Sequence, residues 1–149
     1  MNSTTISITS TPPAPTVVQG DSAAGIGRAR QAARAFTARL NPAPDHDMTH
    51  TLVLVVSELV TNALRHGGGT FSLRLNAHPD AIEVAVDDTS PRLPRMRTPD
   101  LNGPGGGFGW PMVNHLARTT AITSRTGGGK TVTAVLLTAP QTATPHLQY

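Results

Sequence analysis

The spacing of apolar residues changes along the chain, and each change marks an element. From Ile26 onward, apolar positions recur at Ala29, Ala33, Phe36 and Leu40, the spacing of an amphipathic helix. Asp21 or Ser22 is placed to cap its start. Asn41-Pro-Ala-Pro44 ends it, since proline lacks an amide donor and restricts the residue before it. A second helix opens at Asp45 or Asp47 and carries the stripe Leu52, Val55, Val56, Leu59 and Ala63. It stops at Gly67-Gly-Gly69, a glycine C-terminal signal. Period two then takes over. Phe71, Leu73 and Leu75 alternate with polar residues, His78-Pro-Asp80 turns, and Ile82, Val84 and Val86 alternate again, which predicts a hairpin. An Arg- and Pro-bearing connection from Arg92 to Pro104 leads through Gly105-Gly-Gly-Phe-Gly109 to a short helix, Trp110 to Ala117. Two strands, about Thr120–Arg125 and Thr131–Leu137, flank Gly127-Gly-Gly129, and Thr16-Val-Val18 is a further short strand candidate. Helix, helix, strand, strand, helix, strand, strand predicts an α/β two-layer sandwich, with helices on one face of a mixed, mostly antiparallel sheet.

Composition narrows this picture. The chain has 149 residues, enough for one domain with a real core. Ser, Thr and Pro dominate residues 1–16, and residues 140–149 lack a period; both are expected to be tails around a domain over 17–139. No apolar run approaches the roughly 18 residues of a membrane span. The N-terminus lacks the basic start and apolar stretch of a signal peptide, so the cytoplasm is the expected compartment. Cysteine is absent, which excludes disulfides and thiolate chemistry. The formal charge is +3, but the arginines are scattered over several segments. Aromatic residues make up only 3% of the chain, which leaves little stacking surface for nucleic acid. Arg28, Arg30, Arg34 and Arg39 read as a solvated helical face.

The second helix carries the candidate chemistry. Glu58, Asn62 and His66 stand four apart on the border of its apolar stripe, so they share one face. A carboxylate beside an apolar seam needs a partner or a task, because burying it alone is costly. Magnesium takes hard oxygen ligands and keeps several waters, so one Asn carbonyl with phosphate oxygens can hold it. A neighbouring Glu can take a proton from an attacking hydroxyl. A chance polar edge is the competing reading, and His66 also suits a helix C-terminus. Asp87 and Asp88 end a strand; they form either an Asx turn or an acceptor for an exocyclic amino group. Gly105–Gly109 before a helix can bring backbone amides against phosphate, Trp110 is a core candidate, and Arg92, Arg95 and Arg97 suit phosphate, an acidic partner or solvent. Arg125-Thr-Gly-Gly-Gly-Lys130-Thr131 imitates the end of a P-loop. It lacks the glycine six residues before the lysine, where Ser124 stands, and a strand pattern follows it. Neither glycine-rich stretch fits the dinucleotide fingerprint.

The order of these pieces is more specific than any piece. An E-x-x-x-N helix, D-x-S after a strand, G-x-G before a helix and G-G-G-K-T before a final strand resemble the ATP-binding domain shared by gyrase, heat-shock chaperones, histidine kinases and mismatch-repair ATPases. Ser57-Glu-Leu-Val-Thr-Asn-Ala-Leu-Arg-His66 with Asp88-Thr-Ser-Pro91 is similar to the anti-sigma-factor serine kinase branch of that superfamily, over roughly Val17 to Leu137. The resemblance implies an ATP-binding anti-sigma regulatory factor, with Mg2+ and ATP as cofactors, that phosphorylates a Ser or Thr of an antagonist protein. A sigma factor is the other implied partner, and a homodimer is implied as well. It implies Glu58 as general base and Asn62 as the magnesium ligand, with Arg65 and His66 near the phosphates. Asp88 would take the adenine amino group, with Thr89 or Ser90 nearby. Gly107 and Gly109 would let the loop backbone approach the phosphates, Thr131 would complete the base pocket, and Lys130 is implied among the nucleotide-binding residues. The family's aspartate box is commonly D-x-G-x-G, and here Ser90 and Arg92 replace both glycines. That change supports a second reading, a kinase-inactive module of the same fold that binds ATP or a partner.

Overall fold

A computed structural model describes residues 14–92 and 109–138. Residues 1–13 of the expected N-terminal tail, the expected C-terminal tail, the connection bearing Arg95 and Arg97, and Gly107 lie outside the described residues, and Thr16, expected in the tail, opens the first strand. The element order is β1 (Thr16–Gly20), α1 (Ala24–Arg39), α2 (His46–His66), β2 (Phe71–His78), β3 (Ala81–Asp88), α3 (Gly109–Leu116), β4 (Thr119–Ser124) and β5 (Lys130–Leu137). The strands form one sheet in the order β1-β2-β3-β5-β4, and every pairing among them is antiparallel. The α/β sandwich predicted from periodicity is the fold observed.

Period two decides which face each strand residue takes. Leu73, Leu75, Val84, Val86, Val132, Ala134 and Leu136 pack with α1 and α2 in one buried cluster. From α1 come Ala29, Ala33 and Phe36; from α2 come Leu52, Val53, Val55, Val56, Leu59, Val60 and Ala63. Val113 of α3 joins the same cluster. Each large side chain buried in this way contributes roughly 1.5–3 kcal/mol. The expected α2 stripe is therefore buried, with Val53 and Val60 widening it.

The helix starts divide the capping expectations. Asp45 caps α2, its carboxylate accepting the Met48 N–H at 2.8 Å. Neither Asp21 nor Ser22 caps α1 through its side chain. Ala23 occupies the N-cap without a side-chain bond, and the Ser22 backbone carbonyl accepts the Gly25 N–H at 2.9 Å. Backbone turn geometry does there what a cap would have done. The β2–β3 turn is tighter than His78-Pro-Asp80. His78 is still paired with Ala81, which leaves Pro79 and Asp80 as the two-residue loop.

Candidate functional site

The end of α2 meets the end of β3 beside the start of β5, and the start of α3 meets the body of α2. On α2, Glu58 and Asn62 are half-buried, whereas Arg65 and His66 are exposed. The Glu58 carboxylate lies against Gly109, the first residue of α3, and a methyl group on that α-carbon would overlap Oε2. The E-x-x-x-N helix and the end of the glycine-rich stretch therefore meet in space. Burial holds the Glu58 carboxyl above its ordinary value of 4.5, and the nearby Arg65 guanidinium pulls in the opposite direction. A carboxylate raised in this way is a better proton acceptor.

Asp88 and Lys130 face each other across β3 and β5, on the face that carries Val86 and Val132 into the core. Lys130 Nζ lies 2.8 Å from Asp88 Oδ2, and the two side chains are only 7% and 4% exposed. The same ammonium donates to the Ser90 carbonyl at 3.2 Å. The Ser90 N–H donates to Asp88 Oδ1 at 2.9 Å, and the Ser90 hydroxyl accepts the Arg92 N–H at 3.1 Å. Ser90 thus takes part through its backbone on the Asp88 side. Gly67, the C-cap of α2, abuts this carboxylate, where a Cβ would lie 2.6 Å from Oδ2. Its carbonyl accepts the Thr89 N–H at 3.0 Å and the Thr89 hydroxyl at 3.3 Å. The end of α2 is in this way fastened to the end of β3.

Thr131 is not brought to the same place. It is paired with Asp87, one residue out of phase with Asp88 and so on the opposite sheet face. Its hydroxyl donates to Asp87 Oδ1 at 2.5 Å. Arg74 reaches that oxygen at 3.0 Å, and Arg125 stands 3.9 Å from Oδ2. Asp87 is thus the hub of a polar cluster on the outer face. A cavity of about 480 Å³ opens at this end of the sheet, lined by Arg28, Phe71, Ser72, Asp87, Thr89 and Arg125 among others. Asp88 reaches it, but Glu58 and Asn62 do not line it.

Among the described residues, no three His, Cys, Asp or Glu side chains cluster as a protein-only metal cage would. A divalent ion held here by Asn62 would need its remaining oxygens from water and phosphate, which is how magnesium is commonly bound. Trp110 packs half-buried against the core, as a core residue rather than a free ligand would. Sequence reasoning missed Gly67 as part of the site and Arg125 beside Asp87. Gly67 read only as a helix stop, and nothing in the local pattern shows what its α-carbon touches. No helix among the described residues is long and apolar enough to cross a membrane.

No curated protein matches the sequence. Among solved structures, the RsbU and RsbW domains of Rv1364c from Mycobacterium tuberculosis align with a TM-score of 0.60 at 21% identity, covering 83% of this chain and 32% of that one. The Erythrobacter litoralis EL346 blue-light activated histidine kinase aligns with a TM-score of 0.52 at 22% identity, covering 79% of this chain and 42% of that one. At these identities the likeness is one of fold, and the chain spans a third to two fifths of either neighbour's length. Residues 21–136 match the model of the histidine kinase-like ATPase domain, and the chain therefore belongs to that family.

Proposed function

We propose that this chain is a cytoplasmic anti-sigma regulatory factor that binds Mg-ATP and phosphorylates a Ser or Thr of an antagonist protein. The observation that carries the reading is the meeting of Glu58 with the first residue of α3, on a helix that carries Asn62 one turn further on, both side chains half-buried. Family membership supplies ATP as the nucleotide. When bound, Mg-ATP supplies the phosphoryl group and much of the charge neutralisation; what the protein adds is positioning. Glu58 accepts the proton of the attacking hydroxyl, helped by a carboxyl raised through burial. The Asn62 side-chain oxygen is a hard ligand suited to magnesium. Arg65, His66 and Gly107 with Gly109 serve the phosphate end, and Asp88 accepts the adenine amino group through an oxygen lone pair not taken by Lys130 or Ser90. The Mycobacterium tuberculosis neighbour contains an RsbW domain, and the resemblance of the α2 motif extends the reading to a sigma factor, an antagonist protein and a homodimer.

A second reading has its own observation. Ser90 and Arg92 stand where the family commonly carries glycine, and the Ser90 hydroxyl accepts the Arg92 N–H, a tie that glycine could not make. A stiff aspartate box favours a module that holds ATP or a partner without transferring phosphate. Labelled ATP with magnesium and a candidate antagonist decides between them. Wild-type transfer that is lost in Glu58→Ala, with ATP binding retained, supports the kinase. Unchanged transfer in Glu58→Ala removes the base from its role. Binding by the wild type without transfer to any antagonist selects the module.

A further inference from the structure

Lys130 is the chain's single lysine among eleven arginines, and the fold buries it. Its ammonium carries three protons. One is directed at Asp88 Oδ2, 2.8 Å away, and another at the Ser90 carbonyl, 3.2 Å away. The side chain is 7% exposed, so little of the cation faces outward. A lysine that gripped a triphosphate would need an ammonium open to the anionic oxygens. The strand register explains the difference: Lys130 is the first residue of β5 and lies directly opposite Asp88 at the end of β3. Gly129 packs on the Asp88 backbone, where a Cβ would overlap the Asp88 carbonyl. Gly67 closes the other side of the carboxylate.

Asp88 is therefore held from several directions. The ammonium fixes Oδ2, the Ser90 N–H fixes Oδ1, and the Gly67 α-carbon limits sideways movement. Each carboxylate oxygen has about two acceptor positions, so the paired group retains acceptor capacity but has little freedom to turn. One donor of fixed direction suits it better than a pair of donors.

We propose that Lys130 is a positioning residue of the base pocket. It fixes Asp88 and the Ser90 carbonyl so that one carboxylate lone pair meets a single amino donor on the purine, and it takes no part in holding the phosphates. This inference rests on the nucleotide reading above, and it concerns which part of the nucleotide Lys130 serves.

The test compares two triphosphates that differ only at the base. ATP carries the 6-amino group, and purine riboside triphosphate lacks it. Their affinities are measured calorimetrically, with magnesium, on wild type, Lys130→Met and Lys130→Gln. Thermal midpoints are taken on the same samples. The wild type prefers ATP by about tenfold, the discrimination expected of one good hydrogen bond to a charged group. In Lys130→Met, ATP weakens and the analogue does not, so the preference falls to about twofold or less. Lys130→Gln retains a donor of shorter reach and guards against a Met variant that fails to fold; its preference falls by about threefold. Equal weakening of both nucleotides means contact with phosphate and overturns the proposal. A lowered midpoint with the tenfold preference intact means a purely structural role and also overturns it. Wild type that binds neither triphosphate defeats the nucleotide reading itself, and this inference with it.

Discussion

Alanine at Gly67 introduces a methyl group for which there is no space. The added carbon would lie 2.6 Å from Asp88 Oδ2, 2.7 Å from Asp88 Cγ and 2.8 Å from the Ala63 α-carbon. An ordinary contact needs about 3.4 Å or more, so something must move by roughly 0.6–0.8 Å. Ala63 is backbone inside α2, and its side chain is part of the core. Asp88 is buried and anchored at both oxygens. Neither neighbour yields cheaply. Overpacking of this kind costs about 1–3 kcal/mol, and any loosening of the buried ion pair adds to it, because breaking such a pair outright costs about 3–5 kcal/mol. The expected loss is about 2–4 kcal/mol, a large share of a typical 5–15 kcal/mol total. Backbone strain adds nothing, since the φ of Gly67 is −107°, a value open to any residue. Urea unfolding followed by Trp110 fluorescence measures the effect. A Gly67→Ala midpoint within about 0.5 kcal/mol of wild type, at equal slope, would show that α2 does not end against Asp88.

The contrasting glycine is Gly27, inside α1, where a Cβ meets nothing within 4 Å. Gly27→Ala is expected to raise stability by about 0.5–1 kcal/mol in the same urea assay, through helix propensity alone. Thr131→Val removes the hydroxyl bond to Asp87 and should cost about 1–2 kcal/mol in stability, with ATP affinity unchanged because Thr131 lies on the face away from Asp88. The pH dependence of Glu58 follows from its raised carboxyl. The folded state holds that proton more tightly than the unfolded chain, so the contribution is fully present below the ordinary carboxylate value and is lost as pH rises through the raised one. Denaturation of wild type and Glu58→Gln between pH 4 and 7 should show the variant gaining relative stability as pH increases.

Much of the fold was legible because burial imposes its period directly. Leu52 through Ala63 and Phe71 through Val86 reveal helix and hairpin by spacing alone, and the stop at Gly67 followed from backbone chemistry. The candidate site was legible only in part. Glu58 and Asn62 could be placed on one face from their spacing, and by resemblance they belonged with the glycine-rich stretch. The contact of Glu58 with Gly109 joins residues 51 positions apart, which no local pattern contains. The facing of Asp88 and Lys130 depends on the β3–β5 register, and register is decided by which strands become neighbours. The same one-residue phase sends Thr131 to Asp87, although in the sequence it stands beside Lys130. The missing side-chain cap at α1 has a similar origin: two good capping residues were present, but the turn out of β1 satisfied the helix start with backbone groups instead.

The proposed function requires that Glu58 and Asn62 face a magnesium-bound triphosphate. Calorimetric titration of ATP into wild type and Asn62→Ala, with magnesium and with it chelated, tests this most directly. Wild type is expected to bind more tightly with magnesium, and Asn62→Ala to lose that gain while remaining folded. Binding that is indifferent to magnesium in wild type, or an Asn62→Ala titration that matches wild type under both conditions, would contradict it.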